Sequence, residues 1–345
     1  SFQNPRGNFF VIEGDEYDTA FFDKVPKFIH YRPRHVIFTS CEFDHADIYK
    51  DLDAVKSAFA RLMKLIPADG GTLMACAEDK NVMELAMQAS GGCVKTYGIF
   101  GKKSAASGVL AQQPVDYQAK VIQITTAGTE FEVFFFNTET KNSESLGKFH
   151  TVMSGDYNIL NAVAVIGLCH RLAQTETGKA FDLNKVREAV ASFQGVKRRQ
   201  EVLGEPRGVL VIEDFAHHPT AVRETLKGLQ QKYSGRKIFA VFEPRSATSR
   251  RKVFQNDYLQ AFQGAQEILI AQAFDQAKIN EADRFSSEEL VADLKKDGKS
   301  AHVFSDVAGI VAYLSAQTHR GDLIVIMSNG GFDGIYGKLM SALEV

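Results

Sequence analysis

The sequence predicts an α/β protein of two lobes, a parallel sheet covered by helices followed by a doubly wound domain. Three observations carry that expectation. Apolar strand-like runs alternate with 3.6-periodic stretches from residue 35 to residue 100, and the same alternation returns from residue 209 to the end. Between them lies a glycine and basic cluster, Gly195-Val196-Lys197-Arg198-Arg199, suited to a junction. The 345 residues suit two domains of roughly 100 to 200 residues each, so the boundary is placed near residue 195, giving 1–195 and 196–345.

Each element has its own reason. Residues 8–12 and 35–39 are apolar runs, and each is followed by an acidic loop. Leu52, Val55, Phe59, Leu62, Met63 and Ile66 recur at steps of three and four, marking an amphipathic helix closed by Pro67. A strand at 72–76, a helix at 81–90 and a strand at 93–100 complete a βαβ pattern. Between 101 and 149 two β-rich runs, 120–125 and 131–136, sit among Gly, Ser, Thr and Gln and read as a small antiparallel extension. Residues 157–173 return to helix, and Leu183, Val186, Val190 and Phe193 share one face of another.

In the second lobe, strands are expected at 209–212, 238–242, 268–271, 301–304 and 323–327. Helices are expected at 222–233, 288–295, 307–316 and 335–343.

Composition excludes several function classes. Lys plus Arg number 40 against 42 Asp plus Glu, so no global field draws the chain to nucleic acid or anionic lipid. The four cysteines, Cys41, Cys76, Cys93 and Cys169, show no C-x-x-C or zinc spacing and read as reduced thiols of a cytoplasmic protein. Apolar runs stop at about five residues, far short of the roughly 18 that cross a bilayer. Ser1 is not a start methionine, so the chain is expected to begin inside a domain.

Chemistry is sought in loops at strand ends, where open sheets bind ligands. Two acidic loops, Glu13-Gly14-Asp15-Glu16-Tyr17-Asp18 and Glu42-Phe43-Asp44-His45-Ala46-Asp47, concentrate carboxylates with one imidazole. Such a cluster invites a hard divalent cation, Mg²⁺ being suited to few carboxylates plus water and phosphate oxygens, unless the loops are simply solvated helix caps. Asn158 and Asn161 open a helix three residues apart, as N-caps or as ligand contacts. Lys197, Arg198, Arg199 and Arg245 can neutralise phosphate, or be ordinary surface charges.

The loop Asp214-Phe215-Ala216-His217-His218-Pro219-Thr220 offers a helix N-terminus to an anion, and at most one of its two adjacent histidines can face a given ligand. Ser328-Asn329-Gly330-Gly331 lets backbone amides approach a ligand closely. No G-x-x-x-x-G-K-[ST] phosphate loop occurs, and Gly98-Ile99-Phe100-Gly101-Lys102-Lys103-Ser104 is a decoy with an extra lysine.

Taken in order, these blocks resemble the Mur ligase family of ATP-dependent amide-bond-forming enzymes, from about residue 8 to the end. The blocks are residues 11–24, 42–48, 214–221, Glu243-Pro244-Arg245-Ser246 and Met327-Ser328-Asn329-Gly330-Gly331-Phe332. The resemblance implies residues 1–195 as the central ATP-binding domain, N-terminally incomplete and without its phosphate loop, and 196–345 as the C-terminal Rossmann-like domain. The chain by itself is then expected to be inactive. The implied activity joins UDP-N-acetylmuramate to the murein tripeptide L-Ala-γ-D-Glu-meso-diaminopimelate in peptidoglycan recycling, using ATP and Mg²⁺ through an acyl phosphate. A cytoplasmic monomer that binds neither nucleic acid nor membrane is expected.

Residue by residue, the resemblance puts Glu13 and His45 at the family's Mg²⁺ positions and Asn158 and Asn161 near the adenine, with Tyr157 departing from the usual His. It puts Arg199 near the nucleotide and Asp214 on the ribose. His217 sits close to the phosphate-facing position of its loop and is a catalytic candidate together with Glu13 and His45, and Arg245, Ser328 and Asn329 are candidates for binding the peptide, Arg245 and Asn329 at its carboxylates. Ala60 stands where several relatives carry a carbamylated lysine, which puts a second metal site in doubt. A sister activity, L-alanine addition to UDP-N-acetylmuramate, shares the Asp-x-x-His-His-Pro-Thr block. A Mg²⁺-dependent phosphohydrolase and a non-catalytic nucleotide-binding fragment are the readings from other classes.

Overall fold

A computed structural model describes residues 2–3, 9–18, 23–89, 91–106, 113–176, 178 and 180–344, with no side-chain placement for residues 2 and 3. The chain forms two compact units. One comprises residues 1–120, 132–147 and 160–186, and the other residues 121–131, 148–159 and 187–345.

In the first unit, β1 (Phe2–Gln3) and β2 (Phe10–Val11) form an antiparallel pair. The strand expected over 8–12 is thus cut to two exposed residues, with Asn8 outside the described residues. Residues 19–22 of the resemblance block also lie outside them. A short helix, α1 (Phe28–Tyr31), precedes β3 (His35–Phe38). Helix α2 (Leu52–Leu65) starts where Asp51 accepts a hydrogen bond from the Ala54 amide at 2.9 Å, and it buries Val55, Ala58, Phe59, Leu62 and Met63.

Strand β4 (Thr72–Cys76) is buried along its whole length and pairs in parallel with β3 and with β5 (Cys93–Ile99). Between them α3 (Lys80–Ala86) ends earlier than the expected residue 90 in turn hydrogen bonds to Leu85 and Ala86, and Ser90 lies outside the described residues.

Strands β6 (Tyr117–Thr125), β7 (Gly128–Asn137) and β8 (Asn142–Thr151) extend this sheet in the order β3-β4-β5-β6-β7-β8. A two-residue connection between β6 and β7 allows only an antiparallel pair. Strand β8 was not expected. Its first residues are polar and exposed, so no period-2 apolar pattern announces it. Helices α4 (Asp156–Thr175) and α5 (Leu183–Ser192) follow.

The second unit carries a six-stranded sheet in the order β13-β12-β11-β14-β10-β9. Its strands are β9 (Glu201–Gly204), β10 (Leu210–Asp214), β11 (Ile238–Phe242), β12 (Glu267–Ala271), β13 (Ser300–Phe304) and β14 (Leu323–Met327). All pairs are parallel except β9 with β10. Helices α6 (Pro219–Lys232), α7 (Gln255–Ala261), α8 (Ser287–Lys296), α9 (Val307–Gln317) and α10 (Ile335–Glu344) cover it.

Alternate strand residues face two separate cores. Leu210, Ile212, Ala240 and Phe242 pack with Leu226 of α6, Tyr258 of α7 and Leu294 of α8. Val211, Phe239, Val241 and Ile324 pack with Ile310 of α9 and Leu339 of α10. Helices on both faces make the domain doubly wound, as expected. Two-sided burial is also why these strands read as unbroken apolar runs.

Candidate functional site

Two groups of polar residues emerge, one in each unit. In the first, the loop after β2 and the loop after β3 carry the acidic clusters. Basic groups offset part of their charge, since Lys27 Nζ lies 3.1 Å from Asp15 Oδ2 and 3.7 Å from the Tyr17 ring centroid, and Lys24 pairs with Asp18 at 2.6 Å. His45 adopts a left-handed backbone (φ 52°) that turns its imidazole onto Tyr17, with ring centroids 5.0 Å apart, and toward Glu16, whose Oε1 is 3.3 Å from Nε2. Burial raises the Glu16 carboxyl above its ordinary value, against a backbone hydrogen bond and His45, which lower it.

Glu13 stands exposed earlier in its loop. Glu16, which spacing did not single out among the acidic residues, is therefore the carboxylate on His45. A cavity of about 530 Å³ opens beside Glu16, Asp18, Asp47, Tyr49 and Arg61.

Among the described residues, no three His, Cys, Asp or Glu side chains gather as a ready metal cage. The donor set fits a divalent ion only as an open site. Few protein ligands, such as Glu13 and His45, would leave most positions to water and phosphate oxygens, a habit of Mg²⁺ rather than of zinc.

In the second unit, β10, β11 and β14 end in register, Asp214 and Phe242 both opposite Met327. The chain leaves β10 and β11 for α6 and α7 on one face of the sheet and leaves β14, which lies between them, for α10 on the other, so the loops beyond these strands border a crevice of the kind that binds ligands. Arg198 (φ 61°) closes one side. Its Nε donates to Glu213 Oε1 at 2.5 Å and its Nη2 to the carbonyls of Ser328 and Gly330, each at 2.8 Å. Arg245 closes the other, pairing with Glu243 at 3.2 Å and lying 3.7 Å from the Phe274 ring centroid.

Ser328 Oγ donates to Glu243 Oε2 at 2.5 Å and accepts from the Gly330 amide at 2.9 Å. Asn329 Oδ1 is buried and accepts no hydrogen bond among the described residues. Glu213, the penultimate residue of β10, and Glu243, the residue directly after β11, are the partners that sequence reasoning did not single out.

Asp214 is buried. Its Oδ2 accepts from the Gln200 amide and its Oδ1 from the Ala216 amide, both at 2.8 Å, and burial holds its carboxyl above the usual range. His217 donates from Nδ1 to the carbonyl of Phe215 at 2.9 Å, since a carbonyl oxygen can only accept. Tyr258 hydroxyl donates to the His217 carbonyl. His218 instead caps α6, its Nδ1 accepting from the Thr220 amide at 3.3 Å. Arg199 is exposed, with its guanidinium 5.1 Å from the Phe215 ring centroid.

The first turn of α4 belongs to this second unit. Asn158 Nδ2 donates to the Ser154 carbonyl at 2.7 Å, and Tyr157 hydroxyl accepts from Gln200 Nε2 at 2.6 Å. Asn158 and Asp214 are thereby joined through Ser154 and Gln200. Asn161 is exposed one turn further along, in the part of α4 assigned to the first unit.

Comparison with known proteins recognises two domains along the chain. The Mur ligase middle domain matches residues 2–169, and the Mur ligase glutamate ligase domain matches residues 198–330. The UDP-N-acetylmuramate–L-alanyl-gamma-D-glutamyl-meso-2,6-diaminoheptandioate ligase of Escherichia coli is 34% identical over 339 residues, covering 98% of this chain and 65% of that protein. The UDP-N-acetylmuramate–L-alanine ligase of Desulfitobacterium hafniense is 32% identical over 325 residues, covering 94% of this chain and 64% of that protein.

The crystal structure of a murein peptide ligase from Psychrobacter arcticus, 30% identical, superposes with a TM-score of 0.63 over 100% of this chain and 65% of that one. The chain thus spans about two thirds of the length of the relatives it matches. With middle and C-terminal domains recognised in order along most of its length, this chain belongs to the Mur ligase family.

Proposed function

We propose that this chain is the nucleotide- and amine-handling part of an ATP-dependent ligase. The ligase joins UDP-N-acetylmuramate to L-Ala-γ-D-Glu-meso-diaminopimelate, in the cytoplasm and as a monomer. The observation that carries the reading is the 34% identity, over nearly the whole chain, to a relative named for that reaction. No helix among the described residues is long and apolar enough to cross a membrane.

The chemistry explains the residue types. A carboxylate is a poor electrophile, so one of its oxygens takes the γ-phosphoryl group of ATP, releasing ADP. The peptide's amine then forms the C–N bond as the C–O bond to phosphate breaks, and the amine's proton passes to a base. A divalent ion, when bound, offsets charge on the transferring phosphoryl oxygens.

In this reading Glu13 and His45 anchor the ion, and Asn158, Asn161, Arg199 and Asp214 hold the nucleotide. His217 presents Nε2 toward the phosphates. Arg245 faces a peptide carboxylate, Ser328 fixes Glu243 beside it, and Asn329 Oδ1 accepts from an N–H of the incoming peptide. We place the domain boundary near residue 195.

Addition of L-alanine is the second reading, favoured by the 32% identical relative named for it. The test is ADP formation by the full-length protein with UDP-N-acetylmuramate and either amine. Turnover with tripeptide at least about tenfold above that with L-alanine is expected. The reverse preference would move the assignment to the alanine reaction, and ADP formation without any amine would mark a phosphohydrolase.

A further inference from the structure

We propose that Gln200 is a positioning residue for the base end of the nucleotide, a role that rests on Asn158 and Asp214 being the adenine and ribose contacts. Gln200 stands at φ 52°, in the left-handed region that non-glycine residues seldom occupy. That conformation turns its backbone amide to Asp214 Oδ2 at 2.8 Å, while its side chain reaches the loop before α4. There Oε1 accepts from Ser154 Oγ at 2.7 Å and Nε2 donates to Tyr157 hydroxyl at 2.6 Å. Backbone and side chain of one residue therefore hold both ends of the proposed adenosine site.

The loop is also fastened elsewhere. Asp156 pairs with Lys227 at 2.7 Å, and Lys232 Nζ donates to the Val152 carbonyl at 2.7 Å. Gly155, at φ 90°, lies so close to Gly228 that a Cβ on Gly228 would stand 3.0 Å from the Gly155 Cα. These contacts fix where the loop sits. Gln200 fixes how its last turn is rotated, because Tyr157 and Asn158 are neighbours and Asn158 is itself bonded back to the Ser154 carbonyl at 2.7 Å. A carboxamide held in one rotation can offer a donor and an acceptor to the N6/N7 edge of adenine, and one free to turn cannot discriminate against guanine.

The experiment measures ADP and GDP affinities of the full-length protein by titration calorimetry, for wild type, Gln200→Ala, Tyr157→Phe and the double variant. Gln200→Ala is expected to weaken ADP about tenfold and GDP less than about threefold, collapsing the ADP preference. Tyr157→Phe removes one of the bonds that Gln200 makes and should weaken ADP about threefold, and the double variant should lose less than the two single effects combined, since both variants remove the Gln200–Tyr157 hydrogen bond. For ATP turnover, KM should rise while kcat stays within about twofold.

A melting shift with the ADP to GDP ratio unchanged would overturn the proposal and leave Gln200 structural. Should Gln200→Ala not fold, an unchanged ratio in Tyr157→Phe overturns it equally. Wild-type protein that binds ADP no better than GDP would instead sink the adenine and ribose assignment itself, and the proposal with it.

Discussion

The carboxylate facing the imidazole of His45 is that of Glu16, at 3.3 Å, while Glu13 stands exposed in the same loop. An exposed carboxylate and a loop imidazole contribute little to a core, so what they do for the molecule is best separated by comparing folding with turnover. In the full-length protein, Glu13→Ala should change stability by less than about 0.5 kcal/mol, and His45→Ala, which also loses the contact with Tyr17, by about 1 kcal/mol. Each should lower kcat at least about tenfold and raise the Mg²⁺ concentration for half-activity. Parallel thermal melts and Mg²⁺ titrations check this, and losses of stability that match the losses of activity would make both residues structural.

Asp214 should reveal itself through pH. Burial lifts its folded-state value above the ordinary 3.8. Its contribution to stability is then fully present below pH 3.8 and is lost as pH rises through the folded value, because the unfolded chain gives up the proton first. Wild type minus Asp214→Asn, followed by denaturant melts, should accordingly decline from acid toward neutral pH. Asp214→Ala, which orphans the amides of Gln200 and Ala216, should cost about 3 kcal/mol.

His170 predicts the opposite slope. Its Nδ1 lies 3.1 Å from Tyr117 hydroxyl and its Nε2 3.2 Å from Gln174 Nε2, and burial lowers its value below the ordinary 6.5. Stability from this group is present above pH 6.5 and is lost as pH falls below it, because the unfolded chain takes up the proton first. Melting temperatures of His170→Gln should therefore fall less than those of wild type between pH 7 and pH 5. Parallel curves would contradict it.

At Gly330, a Cβ would stand 2.0 Å from Arg245 Nε, so the guanidinium must leave the position in which it pairs with Glu243 at 3.2 Å. Gly330→Ala is expected to raise the KM for tripeptide about tenfold, leave the KM for ATP within about twofold, and cost no more than about 1 kcal/mol of stability. Steady-state kinetics with each substrate varied in turn checks it.

Legibility in the sequence tracked burial. Strands β11 and β14 match their expected bounds residue for residue because both faces of each strand are covered, whereas β8 escaped notice because its exposed half is polar. Helix α7 was also unforeseen, its seven residues too short to establish a period. The polar loops beyond β10, β11 and β14 were readable as site material, since polar residues directly after apolar strands stand out. The pairings within them were not. Gln200 meets Ser154 across 46 residues and Arg198 meets Gly330 across 132, and each depends on a left-handed backbone that neither residue type advertises.

Oxygen transfer tests the central claim most directly. UDP-N-acetylmuramate labelled with ¹⁸O in its lactoyl carboxylate is incubated with ATP, tripeptide and the full-length protein, and the released phosphate is analysed by mass spectrometry. An acyl-phosphate ligase passes one carboxylate oxygen to phosphate for each amide bond formed. Amide formation with unlabelled phosphate, or labelled substrate recovered intact while ATP is consumed, would contradict the account.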